Sequence, residues 1–150
     1  MNTPTTPRIA SRLASLRINH AAIRVPDFDT AVAWYADKLD FRLKQSVSVA
    51  GLSFGFLYPA GDESFHFELM AGQGAAERPT YKDLHDSYNM YGWHHPGFSV
   101  DSVDAVIDEL KRRDVTIASE PYDVPAMGLR VAFFADPWGN LFEVIQPITK

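Results

Sequence analysis

The chain has 150 residues, 46% hydrophobic and 22% charged, a balance that suits one compact domain or two small halves sharing a core. A net charge of −5 with no basic cluster argues against a grip on nucleic acid or a membrane surface. Cysteine is absent, which excludes disulfides, thiolate metal sites and a cysteine nucleophile. This is compatible with a cytoplasmic location, the expected one. No apolar run approaches the roughly 20 residues needed to span a bilayer.

Residues 1–17 read as a tail, with Ile9, Leu13 and Leu16 forming one short amphipathic turn. Arg8, Arg12, Arg17 and Arg24, with no acid before Asp27, also give this end the look of a transit peptide. Residues 18–25 predict a strand, with Ile23 and Val25 on one face and His20, Ala22 and Arg24 on the other. Residues 27–38 carry Phe28, Ala31, Val32 and Tyr35 at helical spacing, with Asp27 as N-cap. Three strands follow at 41–49, 53–58 and 64–70, with Pro59 stopping the middle one and turns at Gly51 and Gly61-Asp62.

The linker 71–92 is long for a simple connection. Its Tyr81, His85, Tyr88, Met90 and Tyr91 could wall a pocket, bury a dimer contact or pack over a sheet edge, the last being the preferred reading. The strand, helix, strand, strand, strand order then returns: a strand at 93–100, a helix at 102–113, and strands at 115–119, 129–134 and 141–146. Val103, Val106, Ile107 and Leu110 line the second helix's apolar stripe, and the turn at 136–140 precedes the last strand. Trp138 lies in that turn, where an exposed aromatic often marks a contact. The expected fold class is therefore α+β: one domain over 18–147, built from modules 18–70 and 93–147, each β-α-β-β-β, forming a curved mixed sheet.

The two modules are an internal repeat. At an offset of 75 residues His20 falls on His95, Val25 on Val100, Asp29 on Asp104, Phe67 on Phe142 and Glu68 on Glu143. Each half thus carries a His followed 48 residues later by a Glu. Strand alternation turns all four away from the helix-packing side chains, toward the concave side of the sheet. Two unpaired carboxylates in a cup are costly, and a divalent cation relieves them. Two carboxylates balance its charge, two neutral imidazoles complete the protein ligands, and positions remain for water or a substrate with two adjacent oxygens. The candidate metal set is His20, Glu68, His95 and Glu143. His66 shares the Glu68 face and is read as lining the substrate pocket. His94 points opposite to His95 and His85 lies in the linker, so neither is assigned a role.

The segments "NHAAIRVPDFDTAVAWYADKLDF", "GWHHPGFSVDSVDAVIDELKRRDV" and "DPWGNLFEV" resemble the glyoxalase, bleomycin-resistance and extradiol-dioxygenase (vicinal oxygen chelate) superfamily across residues 18–146. The His-Glu-His-Glu set is similar to that of glyoxalase I. The resemblance implies a lyase or isomerase that abstracts a proton next to a carbonyl through a metal-stabilised enediolate, with Glu143 as the base. It implies one divalent ion (Zn, Ni, Co, Mn or Fe), a small-molecule substrate and a homodimer, and gives Arg24 the role of holding a substrate carboxylate. "LMAGQG" after Glu68 lacks the expected Asn, and loop 121–129 has one Gly instead of a glycine-rich flap. Both departures count against glutathione. "GWHHPG" also resembles the corresponding segment of methylmalonyl-CoA epimerases, which typically carry Gln at the Glu68 position. The alternatives are an iron-dependent ring-cleaving dioxygenase, against which the second carboxylate argues, and a non-catalytic binding or resistance module. The four ligands could meet within one chain or across a dimer.

Overall fold

The computed structural model describes residues 12–148. Ile9 lies outside the described residues. Leu13 and Leu16, in and just after a single 3-10 turn at Arg12–Ser15, are exposed.

The first unit comprises β1 (His20–Arg24), α1 (Phe28–Leu39), β2 (Phe41–Val49), β3 (Leu52–Pro59) and β4 (His66–Gly72). Asp27 accepts from the Thr30 amide as the expected N-cap. The sheet order is β1-β4-β3-β2, with β1 parallel to β4 and the other pairs antiparallel. A parallel β1–β4 pair is what a chain leaving β1 through a helix and a β2–β3 hairpin must produce. Gly55 is required beneath α1, because a Cβ there would lie 2.6 Å from the Phe28 ring.

A linker containing the short helix α2 (Leu84–Ser87) leads to the second unit: β5 (Gly97–Ser99), α3 (Val103–Arg112), β6 (Thr116–Val124), β7 (Leu129–Ala135) and β8 (Leu141–Pro147). Its order, β5-β8-β7-β6, repeats the first. Two elements depart from the expected bounds. β5 begins only at Gly97, because Pro96, where the first half has Ala21, has no amide proton to give; its carbonyl still accepts from Glu143 N. β6 runs on through Pro121 to Val124, where a loop is expected from 120 onward. It is an edge strand with register shifts on both sides of Ser119, the setting in which a strand accommodates proline.

The units form two four-stranded sheets, not one continuous curved sheet, and they pack through their helix-bearing faces. Phe41 and Phe67 of the first meet Phe98 and Phe142 of the second, at ring separations of 5.7–6.1 Å for Phe67–Phe98, Phe67–Phe142 and Phe41–Phe98. Ala31, Tyr35, Leu69, Val103, Ile107 and Phe134 complete this shared core. Trp138 belongs to it: instead of marking a surface contact it packs on Trp34 and Tyr35, because α1 covers its turn.

The seam carries one buried polar group. Asp136 accepts from the Tyr35 hydroxyl at 2.7 Å, from Asn140 Nδ2 at 2.7 Å and from the amides of Asn140 and Trp138. Burial raises both the Asp136 carboxyl and, more strongly, the Tyr35 hydroxyl above their ordinary values. At the far end Arg113 reaches the Asp37 and Lys38 carbonyls at the end of α1 and pairs with Asp40 at 2.9 Å. Removing the Tyr35 hydroxyl leaves a buried carboxylate one donor short. Tyr35→Phe is therefore expected to lower unfolding free energy by about 1.5–3 kcal/mol in denaturant titration. A loss under about 0.5 kcal/mol would mean that aromatic packing alone holds the seam.

Candidate metal and substrate site

The repeat places one His–Glu pair on each sheet. In the first, His20 Nε2 lies 3.6 Å from Glu68 Oε2; in the second, His95 Nε2 lies 3.2 Å from Glu143 Oε2. Each carboxylate lies opposite a small residue on the neighbouring strand: Ala22 beside Glu68 and Gly97 beside Glu143, again 75 residues apart. A Cβ at Gly97 would come within 3.3 Å of Glu143 Oε2, so glycine keeps open the space beside that oxygen.

The pairs do not meet within one chain. Phe67 and Phe142 face each other in the core, and the glutamates that follow them face away from it. Among the described residues no three His, Asp or Glu side chains converge as a metal set. A groove of about 1590 Å³ runs past β1 and the segment that precedes β5, and is bordered by His20 and His95. Among the described residues β1 pairs only with β4 and β5 only with β8, so each presents a free edge there. Beside those edges Ile18 is 86% and Trp93 94% exposed; they too are repeat mates.

Hydrogen bonding turns Nε2 of each histidine toward its glutamate. Asn19 Oδ1, purely an acceptor, lies 2.9 Å from His20 Nδ1 and so takes its proton. Nε2 is then the His20 nitrogen that faces the Glu68 carboxylate. On the other sheet the Ser87 hydroxyl donates to Leu84 O at 2.5 Å, so its oxygen accepts from His94 Nε2 at 2.9 Å. His94 Nδ1 is then bare and accepts from His95 Nδ1 at 2.7 Å, so Nε2 is the His95 nitrogen that faces Glu143 Oε2, at 3.2 Å. Each Nε2 can donate to its carboxylate or, once unprotonated, share a cation with it. Sequence reasoning left His94 without a role because alternation turned it from His95. Pro96 ends the strand before this position, and the two rings meet edge to face. Burial, with the charges of His95 and Arg78, lowers the His94 pKa below its ordinary value.

The surroundings of the two pairs differ. The first sheet's face is open and bears Phe54, Phe56 and Tyr58 on β3, with His66 packed against Phe56 and Tyr58. Lys44, in a β2 bulge, lies 3.4 Å from His66 Nε2. Alternation alone does not place Lys44 here, since the bulge shifts its facing. Arg24 uses Nη2 on Gly72 O at 2.7 Å, whereas its buried Nη1 meets no acceptor among the described residues.

The second sheet's corresponding face is filled by the linker. Leu84 is buried among Val131, Phe133, Ala135 and Leu141, and Tyr81 donates to Gly139 O at 3.1 Å. The linker thus covers the inside of the second sheet, not its edge, while Tyr88 and Tyr91 remain exposed. Tyr122, hydrogen-bonded to Tyr88 and near Glu143, has its hydroxyl pKa raised, chiefly by burial.

Comparison with known proteins places this arrangement. A family model described as the Glyoxalase/Bleomycin resistance protein/Dioxygenase superfamily matches residues 17–144. The chain is 28% identical over 134 residues to a probable chloroplastic lactoylglutathione lyase of Arabidopsis thaliana, covering 87% of this chain but only 35% of that protein. It is 28% identical over 138 residues to a probable lactoylglutathione lyase of Vibrio cholerae (89% and 93% covered). It is 30% identical over 134 residues to human mitochondrial methylmalonyl-CoA epimerase (87% and 73% covered). Among solved structures, a glyoxalase family protein from Enterococcus faecalis superposes with a TM-score of 0.71 at 21% identity (87% and 97% covered). Glyoxalase I from Zea mays superposes with a TM-score of 0.68 at 27% identity (89% of this chain, 46% of that one). Among the described residues no helix is long and apolar enough to cross a membrane.

Leu84 is the linker's main apolar anchor. Leu84→Ala is expected to release residues 81–88 locally, read as faster amide hydrogen exchange there while β7 and β8 stay protected. Equal acceleration in the strands would show that the linker unfolds only with the whole domain.

Proposed function

The chain belongs to the glyoxalase/bleomycin resistance protein/dioxygenase superfamily, and from that premise we propose that it is a divalent-metal-dependent lyase or isomerase. Its substrate would be a small carbonyl compound with adjacent oxygens, and its sites would be shared between two copies of the chain. The observation that carries this reading is the repeated one of an imidazole Nε2 facing a carboxylate, at His20–Glu68 and at His95–Glu143, 3.6 and 3.2 Å apart. Each is half of a four-ligand set. Back-to-back packing prevents the halves from meeting in one chain, and the free β1 and β5 edges with Ile18 and Trp93 offer a surface for a second copy. A twofold dimer that sets one copy's β1 beside the other's β5 would bring His20 and Glu68 to the partner's His95 and Glu143. It would also cover both edges.

His20, Glu68, His95 and Glu143 would hold the ion, which would supply positive charge at the substrate's carbonyl oxygen. The relatives named lactoylglutathione lyase and methylmalonyl-CoA epimerase suggest chemistry at the carbon next to a carbonyl. Glu143 is the proposed base: it takes the proton from that carbon and returns it to the neighbouring carbon. Gly97 leaves the carboxylate room to shift between these positions. The open face of the first sheet would hold the rest of the substrate. Phe54, Phe56 and Tyr58 supply apolar area, and Arg24 through its spare Nη1, with Lys44 and His66, would bind an anionic tail.

Protein purified without chelators is expected to contain one metal ion per chain. Glu143→Gln is expected to cut kcat by at least about 10²-fold while much of the metal stays bound. A suitable assay panel is 2-oxoaldehyde hemithioacetals of several thiols and 2-substituted acyl-CoA thioesters, read by product formation and by deuterium uptake from solvent. Full turnover in Glu143→Gln would refute its role as base. Oxygen uptake with catechols by the iron-loaded protein would identify a dioxygenase, and an empty site a binding module.

Shared sites make a separate prediction. His20→Ala/Glu68→Ala and His95→Ala/Glu143→Ala chains should each be inactive, yet regain activity when refolded together. Random mixing puts half the chains in mixed dimers with one intact site of two, so about a quarter of parent activity should return. No recovery in verified mixed dimers would place the site within one chain.

A further inference from the structure

We propose that the residue immediately before each metal-binding histidine fixes that imidazole's tautomer and direction, and that in the second half this control extends to the linker through Ser87. The inference rests on the metal reading above. Asn19 and His94 occupy the same place in the repeat, 75 residues apart, yet share no chemistry beyond the ability to accept a hydrogen bond. Each uses it on the following histidine: Asn19 Oδ1 at 2.9 Å from His20 Nδ1, and His94 Nδ1 at 2.7 Å from His95 Nδ1. In both cases the Nδ1 proton is engaged and Nε2 is the nitrogen aimed at the glutamate.

An amide oxygen can only accept, so Asn19 with its oxygen toward the ring needs no further help. A histidine can accept at Nδ1 only if its own proton sits on Nε2, and Ser87 enforces that. The Ser87 hydroxyl is fully buried and committed to Leu84 O at 2.5 Å, so its oxygen can only receive from His94. Ser87 and Leu84 belong to α2, and Leu84 is the residue that seats the linker on the second sheet. Linker docking and His95 orientation are therefore linked by three consecutive hydrogen bonds. Asn19 is exposed and water can take its place, whereas His94 is half-buried and Ser87 fully buried, so the second half depends more on its protein partner.

The test measures metal affinity directly. Dissociation constants for Zn2+, Co2+ and Ni2+ are obtained by competition with a chromophoric chelator, with the visible spectrum of the Co2+ protein as a second readout. His94→Leu removes the acceptor and is expected to weaken binding by about 10–100-fold and to change the Co2+ spectrum. His94→Asn installs the first half's solution in the second and is expected to restore affinity to within a few-fold of the parent. Ser87→Ala lets His94 adopt the wrong tautomer and is expected to weaken binding by about tenfold. Asn19→Ala should cost less than His94→Leu. Circular dichroism of the metal-free proteins identifies any variant that fails to fold. Parent-like affinity in His94→Leu, or affinity in a folded His94→Asn as weak as in His94→Leu, would overturn the inference. Parent-like affinity in His95→Ala would instead overturn the metal reading itself.

Discussion

Phe67 and Glu68 are neighbours on one strand, as are Phe142 and Glu143 on another, and neighbours on a strand must face opposite ways. This constraint ties the core to the site. The two phenylalanines meet at 6.1 Å inside the shared core, so the two glutamates are held on outward faces that cannot approach each other. Any rotation of one sheet that brought the glutamates together would expose both rings, at a cost of about 1.5–3 kcal/mol each from lost burial alone. It would also break the Tyr35–Asp136 bond across the seam. Packing that stabilises the monomer thus keeps the two His–Glu pairs apart, and under the proposed metal reading a second copy would bring them together.

Much of this could be read from the chain. The repeat found His20, Glu68, His95 and Glu143 because duplication preserves ligand type and spacing even where packing residues drift. The Asp27 cap was legible too, since it acts through a local hydrogen bond that depends little on tertiary context. What escaped is what depends on three dimensions. Pro96 shortens β5 and frees His94 to turn toward His95. Pro121 lies inside β6, since an edge strand has one side on which a missing donor does no harm. Lys44 reaches the His66 face because of a bulge, and a bulge reverses the alternation on which facing was judged. Trp138 sits in a turn by sequence but inside the seam by packing, because α1 of the other unit covers it. Back-to-back packing of the units was not legible either, since alternation defines two faces without saying which neighbour each will meet.

The halves are alike in their ligands and unlike in what surrounds them. Leu84 occupies the second sheet's inner face, and among the described residues no comparable segment covers the first. A substrate long enough to need more than the metal can therefore extend only over the first sheet, where Phe54, Phe56, Tyr58, His66, Lys44 and Arg24 gather. In a dimer with shared sites the proposed base, Glu143, would come from one subunit and the binding surface from the other. Duplication supplied two equal pairs of ligands; the unequal use of their surroundings is what would turn a symmetric cation site into one with a reacting end and a recognising end. The linker is then more than a tether. By filling one face it directs the substrate to the other, and through Ser87 and His94 it orients one of the ligands that the chemistry requires.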